Sequence, residues 1–318
     1  MIVVAPDSFK GTLSAREVAG AIARGLRSEG LQAVELPVGD GGEGTMDALL
    51  AVLGGELRRA TVSDPLGRPV EATYALLRDG TTAIVETAQA SGLWRVAEHE
   101  RDPWTASTHG TGELIAAAAN AGANRVIVTV GGSATMDGGL GAVEALDEAG
   151  VDVALDVLCD VRSAWEDAPR LYGPQKGADA EMVMRLERRL DELASKAPED
   201  PRGVPYTGSA GALSGGLWAF HGARLFSGAA YVLDALGFDD RLREAPFAVT
   251  GEGRLDAQTL EGKIVAEVAG RCRGAGVACH AVVGENALGQ EAVDELGLAS
   301  VSEATTLAEL EQAGRRLA

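Results

Sequence analysis

Lysine is nearly absent from this sequence. Of 28 basic residues only four are lysine, Lys10, Lys176, Lys196 and Lys263, so arginine holds almost every other cationic position. Where arginine serves generally, a retained lysine marks a place that wants a compact, flexible ammonium instead of a planar fork. Three of the four lie beside a glycine, in PDSFKGT, YGPQKGA and LEGKIV, while Lys196, in DELASKAPED, reads as a solvated helix end.

Other shortages exclude whole classes. Net charge is −19, which argues against nucleic-acid or anionic-membrane binding, so any anionic substrate must be held by locally placed cations. No apolar run approaches the roughly 20 residues of a membrane span, and MIVVAPDSFK has no basic region before a long apolar segment, which predicts a cytoplasmic protein. Cys159, Cys272 and Cys279 lack metal-ligand spacing and read as small buried residues in a reducing compartment. Neither a G-x-x-x-x-G-K-[ST] loop nor a kinase H-R-D or D-F-G set is found, and GRLDAQTLEGK has the wrong spacing. No G-x-S-x-G elbow supports hydrolysis. His99, His109, His221 and His280 are scattered, and His109, in STHGTGEL, reads more readily as a cap or core residue than as a cleft residue.

What is present is glycine, apolar residues and length. With 318 residues the chain exceeds the roughly 250–300 at which single cores stop growing, so two domains are expected. IVVAP reads as a buried strand, DSFKGT as a loop and LSAREVAGAIARGL as a helix; AVELPV, GDGGEGT and MDALLAVL repeat that order. Near the other end FAVTGEG, ACHAVVGE and LASVSEA read as three more strands separated by helices. Two plus three strands make an α/β domain split across the chain, a doubly wound parallel sheet of flavodoxin-like order 2-1-3-4-5. Between them PVEATYALL, RDG and TTAIVETA form a hairpin pattern, followed by helix ELIAAAANAG and strand NRVIVTV. The expected division is therefore a discontinuous domain of residues 1–60 and 240–318, and an inserted α/β mixed-sheet domain of residues 61–239. Residues 191–208, rich in proline and charge, read as a loop or linker.

The loop GDGGEGT, residues 39–45, sets four glycines and two carboxylates between a strand and a helix. Glycines let the backbone approach a ligand, and a helix N-terminus favours anions. Two acids would repel bare phosphate, so the loop suits a phosphate arriving with a divalent cation. In the expected sheet, ligands bind at the carboxyl ends of the first and third strands. That edge gathers Asp7, Lys10, Asp40, Glu43, Glu252, Arg254 and Asp256, the charge types that phosphoryl transfer uses. GGSATMDGG (131–139) and YGPQKGA (172–178) are further glycine loops, each of which alone also fits a plain turn.

In chain order, APDSFKGTLSA, LPVGDGGEGT, DPLGRPVEA, GGSATMDGG, YGPQKGA and VTGEGRLDAQTLEGK resemble the motifs of the glycerate kinase type 1 family, across residues 5 to 263. The resemblance implies ATP-dependent phosphorylation of D-glycerate with Mg²⁺, favouring 2-phosphoglycerate, in an interdomain cleft, by a monomer or homodimer. It implies Lys10 and Lys176 for phosphate charge, Asp7 or Asp256 as hydroxyl acceptor, and Asp40, Glu43 and Glu252 for Mg²⁺ or substrate hydroxyls. Arg254 suits the glycerate carboxylate. Ser8, Gly41, Gly42, Gly132, Ser133, Asp137, Gly251 and Gly253 would line the substrate and phosphate sites. Three departures stand out: Met136 where members usually have Asn, a short segment from Leu140 to Cys159, and no proline after Lys263. Competing readings are a kinase of a related small hydroxy acid and a non-catalytic nucleotide or metabolite sensor.

Overall fold

The computed structural model describes residues 1–257 and 259–318, which leaves Gln258 of the motif VTGEGRLDAQTLEGK outside. Two compact units emerge. Met1–Asp40, Asp47–Leu49 and Ala229–Ala318 form the first, and Gly41–Met46 and Leu50–Gly228 the second.

Strands follow in chain order. β1 (Ile2–Pro6) and β2 (Ala33–Glu35) open the first unit. The second unit holds β3 (Gly55–Ser63), β4 (Pro69–Leu77), β5 (Thr82–Glu86), β6 (Arg125–Thr129), β7 (Ala154–Cys159) and β8 (Arg224–Ser227). The first unit resumes with β9 (Phe247–Gly251), β10 (Arg254–Leu255), β11 (Ala278–Val283), β12 (Glu285–Asn286) and β13 (Ser300–Glu303).

In the first unit a parallel five-stranded sheet runs β13-β11-β9-β1-β2, with β10 and β12 paired separately. All five residues of β1 are buried, as a central strand covered on both faces requires. Helix Ala15–Ser28 starts where Ser14 and Glu17 satisfy each other's amides, with Glu17 Oε2 taking the Ser14 N–H at 2.9 Å. Its buried stripe, Val18, Ile22 and Leu26, covers the sheet with Leu310 from helix Leu307–Arg316. Those two helices cross very closely: a Cβ at Gly25 would overlap the Glu311 carbonyl, and one at Gly314 the Ile22 carbonyl.

In the second unit the sheet is mixed. β3-β4-β5 are antiparallel, and β5-β6-β7-β8 continue in parallel. The turn before β5 closes through Asp79, whose carboxylate accepts from the Thr81 and Thr82 amides at 2.8 Å each. Val85, Val126, Val128, Leu114, Ile115, Leu146 and Leu217 make the core. Asp156 on β7 is fully buried there; one oxygen accepts from Arg125 Nε at 2.6 Å, and the other from Arg224 Nε at 2.8 Å. Helix Ala180–Ala194 occupies the start of the stretch that reads as a linker; residues 195–208 contain neither helix nor strand. No helix among the described residues is long and apolar enough to cross a membrane.

Candidate active site

Parallel strands end with their loops on one edge, and in the first unit those loops enclose a cavity of about 410 Å³. The loop after β1 contributes Asp7, Ser8 and Lys10, and the loop after β9 contributes Glu252, Gly253, Arg254 and Asp256. Asp40 joins them after β2. Lys263, at the start of helix Ile264–Ala275, and Glu285 of β12 complete the charged lining.

Geometry separates these charges by exposure. Lys10 is half-exposed, and its Nζ stands 3.8 Å from Oδ2 of the buried Asp40. Arg254 reaches Asp256 at 3.9 Å and Glu285 at 3.6 Å, loose pairs that leave its guanidinium open to solvent. Asp7 and Glu252 are buried. Burial pushes the Asp7 pKa well above the usual carboxylate range, and Asp40 adds repulsion, against the pull of Lys10 and the Ser8 amide. Burial likewise pushes Glu252 up to about 7, against the Thr259 hydroxyl, which donates to Oε1 at 2.6 Å, and the charge of Lys263. Gly251 lies beneath: its α-carbon is so close to the Val282 carbonyl that a Cβ would overlap it.

The second unit assembles another polar site from its own glycine loops. Gly41 is left-handed at φ 98°, its carbonyl accepts from Val130 N at 2.9 Å, and its amide donates to Thr45 Oγ1 at 3.1 Å. Gly131 lies against Gly42 at a distance of 2.6 Å from where a Cβ would stand, and the Glu43 carboxylate fills the space that a Cβ on Gly132 would need. Thus Asp40 and Glu43, three residues apart in GDGGEGT, belong to different units.

Lys176 is buried beside Ser133. Its Nζ lies 2.8 Å from Ser133 Oγ and 2.7 Å from the Thr135 carbonyl oxygen. Burial pushes its pKa down to about 7, opposed by the negative charges of Asp137 and Asp160. Asp137 accepts from Thr108 N and Oγ1 at 2.8 Å each, from Gly139 N at 3.2 Å and from Gly141 N at 3.3 Å, which anchors the start of helix Leu140–Ala149. Met136 points into a core with Trp165 and Leu186.

One cavity therefore gathers Asp7, Ser8, Lys10, Asp40, Glu252, Gly253, Arg254 and Asp256, and the other site gathers Gly41, Gly42, Glu43, Gly132, Ser133, Asp137 and Lys176. The sequence singled out Lys263 as a retained lysine beside a glycine without placing it in the site, and it pointed to none of Glu285, Thr135 and Asp160. Ala210, Gly211 and Ala212 are left-handed in succession, and Gly211 presses on the Thr135 carbonyl, a strained support that no sequence pattern signals.

A profile of the glycerate kinase family matches residues 2–154 and 146–316. The chain is 40% identical over 307 residues to the glycerate 2-kinase of Escherichia coli (strain K12), covering 84% of this chain and 81% of that one. It is 38% identical over 339 residues to the glycerate kinase of Bacillus subtilis (strain 168), covering 93% and 89%. The crystal structure of a proposed glycerate kinase 2 from Salmonella typhimurium LT2 superposes with a TM-score of 0.82 at 34% identity, over 99% of this chain and 96% of that one. The chain belongs to the glycerate kinase family and is an enzyme.

Proposed function

We propose that this enzyme transfers the terminal phosphoryl group of ATP to D-glycerate, giving 2-phosphoglycerate. The observation that supports it best is the first unit's cavity, where buried carboxylates stand among Lys10, Lys263 and Arg254. Such a cavity suits a small anion bearing a hydroxyl: the guanidinium of Arg254 matches a carboxylate, and a nearby acid takes the hydroxyl proton.

Asp7 is the preferred proton acceptor. Its raised pKa makes it a stronger base than an ordinary carboxylate, whereas Asp256 already faces Arg254. Lys10 stabilises charge that develops on the phosphoryl oxygens. Gly41, Gly42, Gly132 and Ser133 offer backbone and hydroxyl groups to the nucleotide phosphates.

Magnesium fits the donors. Asp40 and Glu252 are buried, hard oxygen ligands, and burial raises the Glu252 pKa, as expected of a carboxylate placed to share a cation. No three His, Cys, Asp or Glu groups among the described residues are placed to hold a metal by themselves. That suits Mg²⁺, which takes one or two carboxylates and completes its shell with phosphate oxygens and water. When bound it would neutralise phosphate charge; Asp40 and Glu252 would hold it, and Glu43 would serve the second unit's loops.

Phosphorus NMR of the purified protein with ATP, Mg²⁺ and D-glycerate tests the reading. The expected product is 2-phosphoglycerate, abolished by excess EDTA. ATP consumption that never rises with D-glycerate would overturn it, and consumption with tartronate or erythronate alone would move the activity to a related hydroxy acid.

A further inference from the structure

Direct transfer from ATP to glycerate needs no nucleophile on the protein, yet the second unit carries the parts of one. Ser133 and Lys176 are 5% and 3% exposed, with Oγ and Nζ 2.8 Å apart. The lysine is fixed at both ends. Its backbone sits in the tight turn Pro174–Lys176, closed by left-handed Gly177, and its Nζ is tied to the Thr135 carbonyl.

That carbonyl has no proton to offer, so Nζ must donate to it. The Ser133 hydroxyl can do either: accept from an ammonium or donate to the lone pair of an amine. Burial brings the amine within reach of neutral pH, because Asp137 and Asp160, the two acids facing Nζ, only partly offset the loss of solvation. Asp137 is also committed to four donors of its own.

A second observation concerns what surrounds the hydroxyl. The amides of Gly131, Gly132 and Ser133 donate to no acceptor among the described residues, and Thr135 Oγ1 is fully buried without a partner. Gly132 is exposed and left-handed at φ 68°, between the buried Gly131 and Ser133, with the Glu43 carboxylate beside it. Unused N–H groups beside a hydroxyl are what phosphoryl oxygens require.

We infer that Ser133 and Lys176 form a nucleophile and base that take a phosphoryl group covalently from a nucleoside triphosphate. Ser133 Oγ attacks the terminal phosphorus, and a new O–P bond forms. The bond from that phosphorus to the bridging oxygen breaks, and its electron pair leaves on the nucleoside diphosphate. The hydroxyl proton passes to Lys176 Nζ, whose ammonium then faces the phosphoserine. The inference rests on the proposed function only for the identity of the donor.

The test is acid-quenched labelling of the whole enzyme with γ-labelled ATP and Mg²⁺, without glycerate, and peptide mapping by mass spectrometry. Glycerate-dependent turnover is measured on the same preparation. The expected result is an acid-stable phosphate on Ser133, absent from Ser133→Ala and formed at least about a hundredfold more slowly by Lys176→Met. The wild-type labelling rate should also rise with pH and level off above about 7, which needs no variant to fold. Turnover without phosphate on Ser133, equal labelling of Lys176→Met, or a rate flat from roughly pH 5.5 to 8.5 would overturn the pair and leave the kinase reading standing. Neither turnover nor label would overturn both.

Discussion

Asp156 in the second unit and Glu252 in the first are both buried carboxylates, but their surroundings differ in kind. Each oxygen of Asp156 faces a guanidinium, Arg125 from β6 on one side and Arg224 from β8 on the other. Glu252 takes a hydrogen from the neutral Thr259, and burial still outweighs every favourable contact it makes. Asp7 is held similarly, with its own neighbour's amide as donor at 2.6 Å. A carboxylate that only stabilises brings its counter-charges with it, because an unpaired buried charge costs several kcal/mol. One that waits for a ligand keeps oxygens in reserve and tolerates a raised pKa.

The strongest way to break that contrast is to make Asp156 resemble Glu252. Arg125→Met with Arg224→Met leaves a fully buried carboxylate without its cations, so denaturant unfolding should show a loss of about 3–5 kcal/mol. Turnover per folded molecule should hold. Next in size, Lys10→Ala removes a half-exposed cation from the cavity; turnover should fall about a hundredfold, or roughly 3 kcal/mol, with the unfolding midpoint almost unmoved. Normal turnover in a variant that melts like wild type would take Lys10 out of the mechanism.

The third prediction uses pH. Glu252 has a folded pKa of about 7, above its ordinary 4.5, so the folded state binds the extra proton. Its contribution is fully present below about 4.5 and is lost as pH rises through about 7. Ligand-free protein should therefore lose on the order of 2 kcal/mol between those limits, and Glu252→Gln should flatten the curve in thermal or denaturant melts. A wild-type curve that rises over this range would contradict the assignment. Smallest of all, Thr259→Val deletes the hydroxyl that partly satisfies Glu252; its titration midpoint, followed by carboxyl NMR, should move up by about one pH unit. No movement would mean that the hydroxyl does not hold the charged form.

Much of this was legible in the residues, for reasons that differ from element to element. IVVAP, FAVTGEG and ACHAVVGE announce buried parallel strands because both faces are apolar, and the hairpin ending in RDG follows from alternation and its turn. The α/β class, with a parallel sheet and a separate mixed one, follows from those patterns. β3 did not, since GELRRATVS is mostly exposed and lacks an apolar face. Asp7, Lys10, Asp40 and Glu252 reach one cavity because each follows a strand of one sheet, which periodicity reveals. Asp160 was missed because it stands in no glycine-rich loop, and Glu285 because ACHAVVGE reads as a buried strand. Nothing in GDGGEGT shows that its two acids part company between the units; Gly42 packs its backbone on Gly131 and Glu43 its carboxylate on Gly132, both far away in sequence.

The placement of β1 between β2 and β9 also has a meaning in time. Val3 pairs with Val34 on one edge within some thirty residues, but its partner on the other edge is Ala248. At a synthesis rate of about 5–20 residues per second, the second edge of that apolar strand waits roughly ten to fifty seconds while the whole second unit is made. During that wait the second unit has everything it needs for its own sheet. Nascent chains arrested before β9 should thus carry a finished domain beside a sticky, unpaired leading segment, and the demand for chaperone protection during translation falls on the first forty residues.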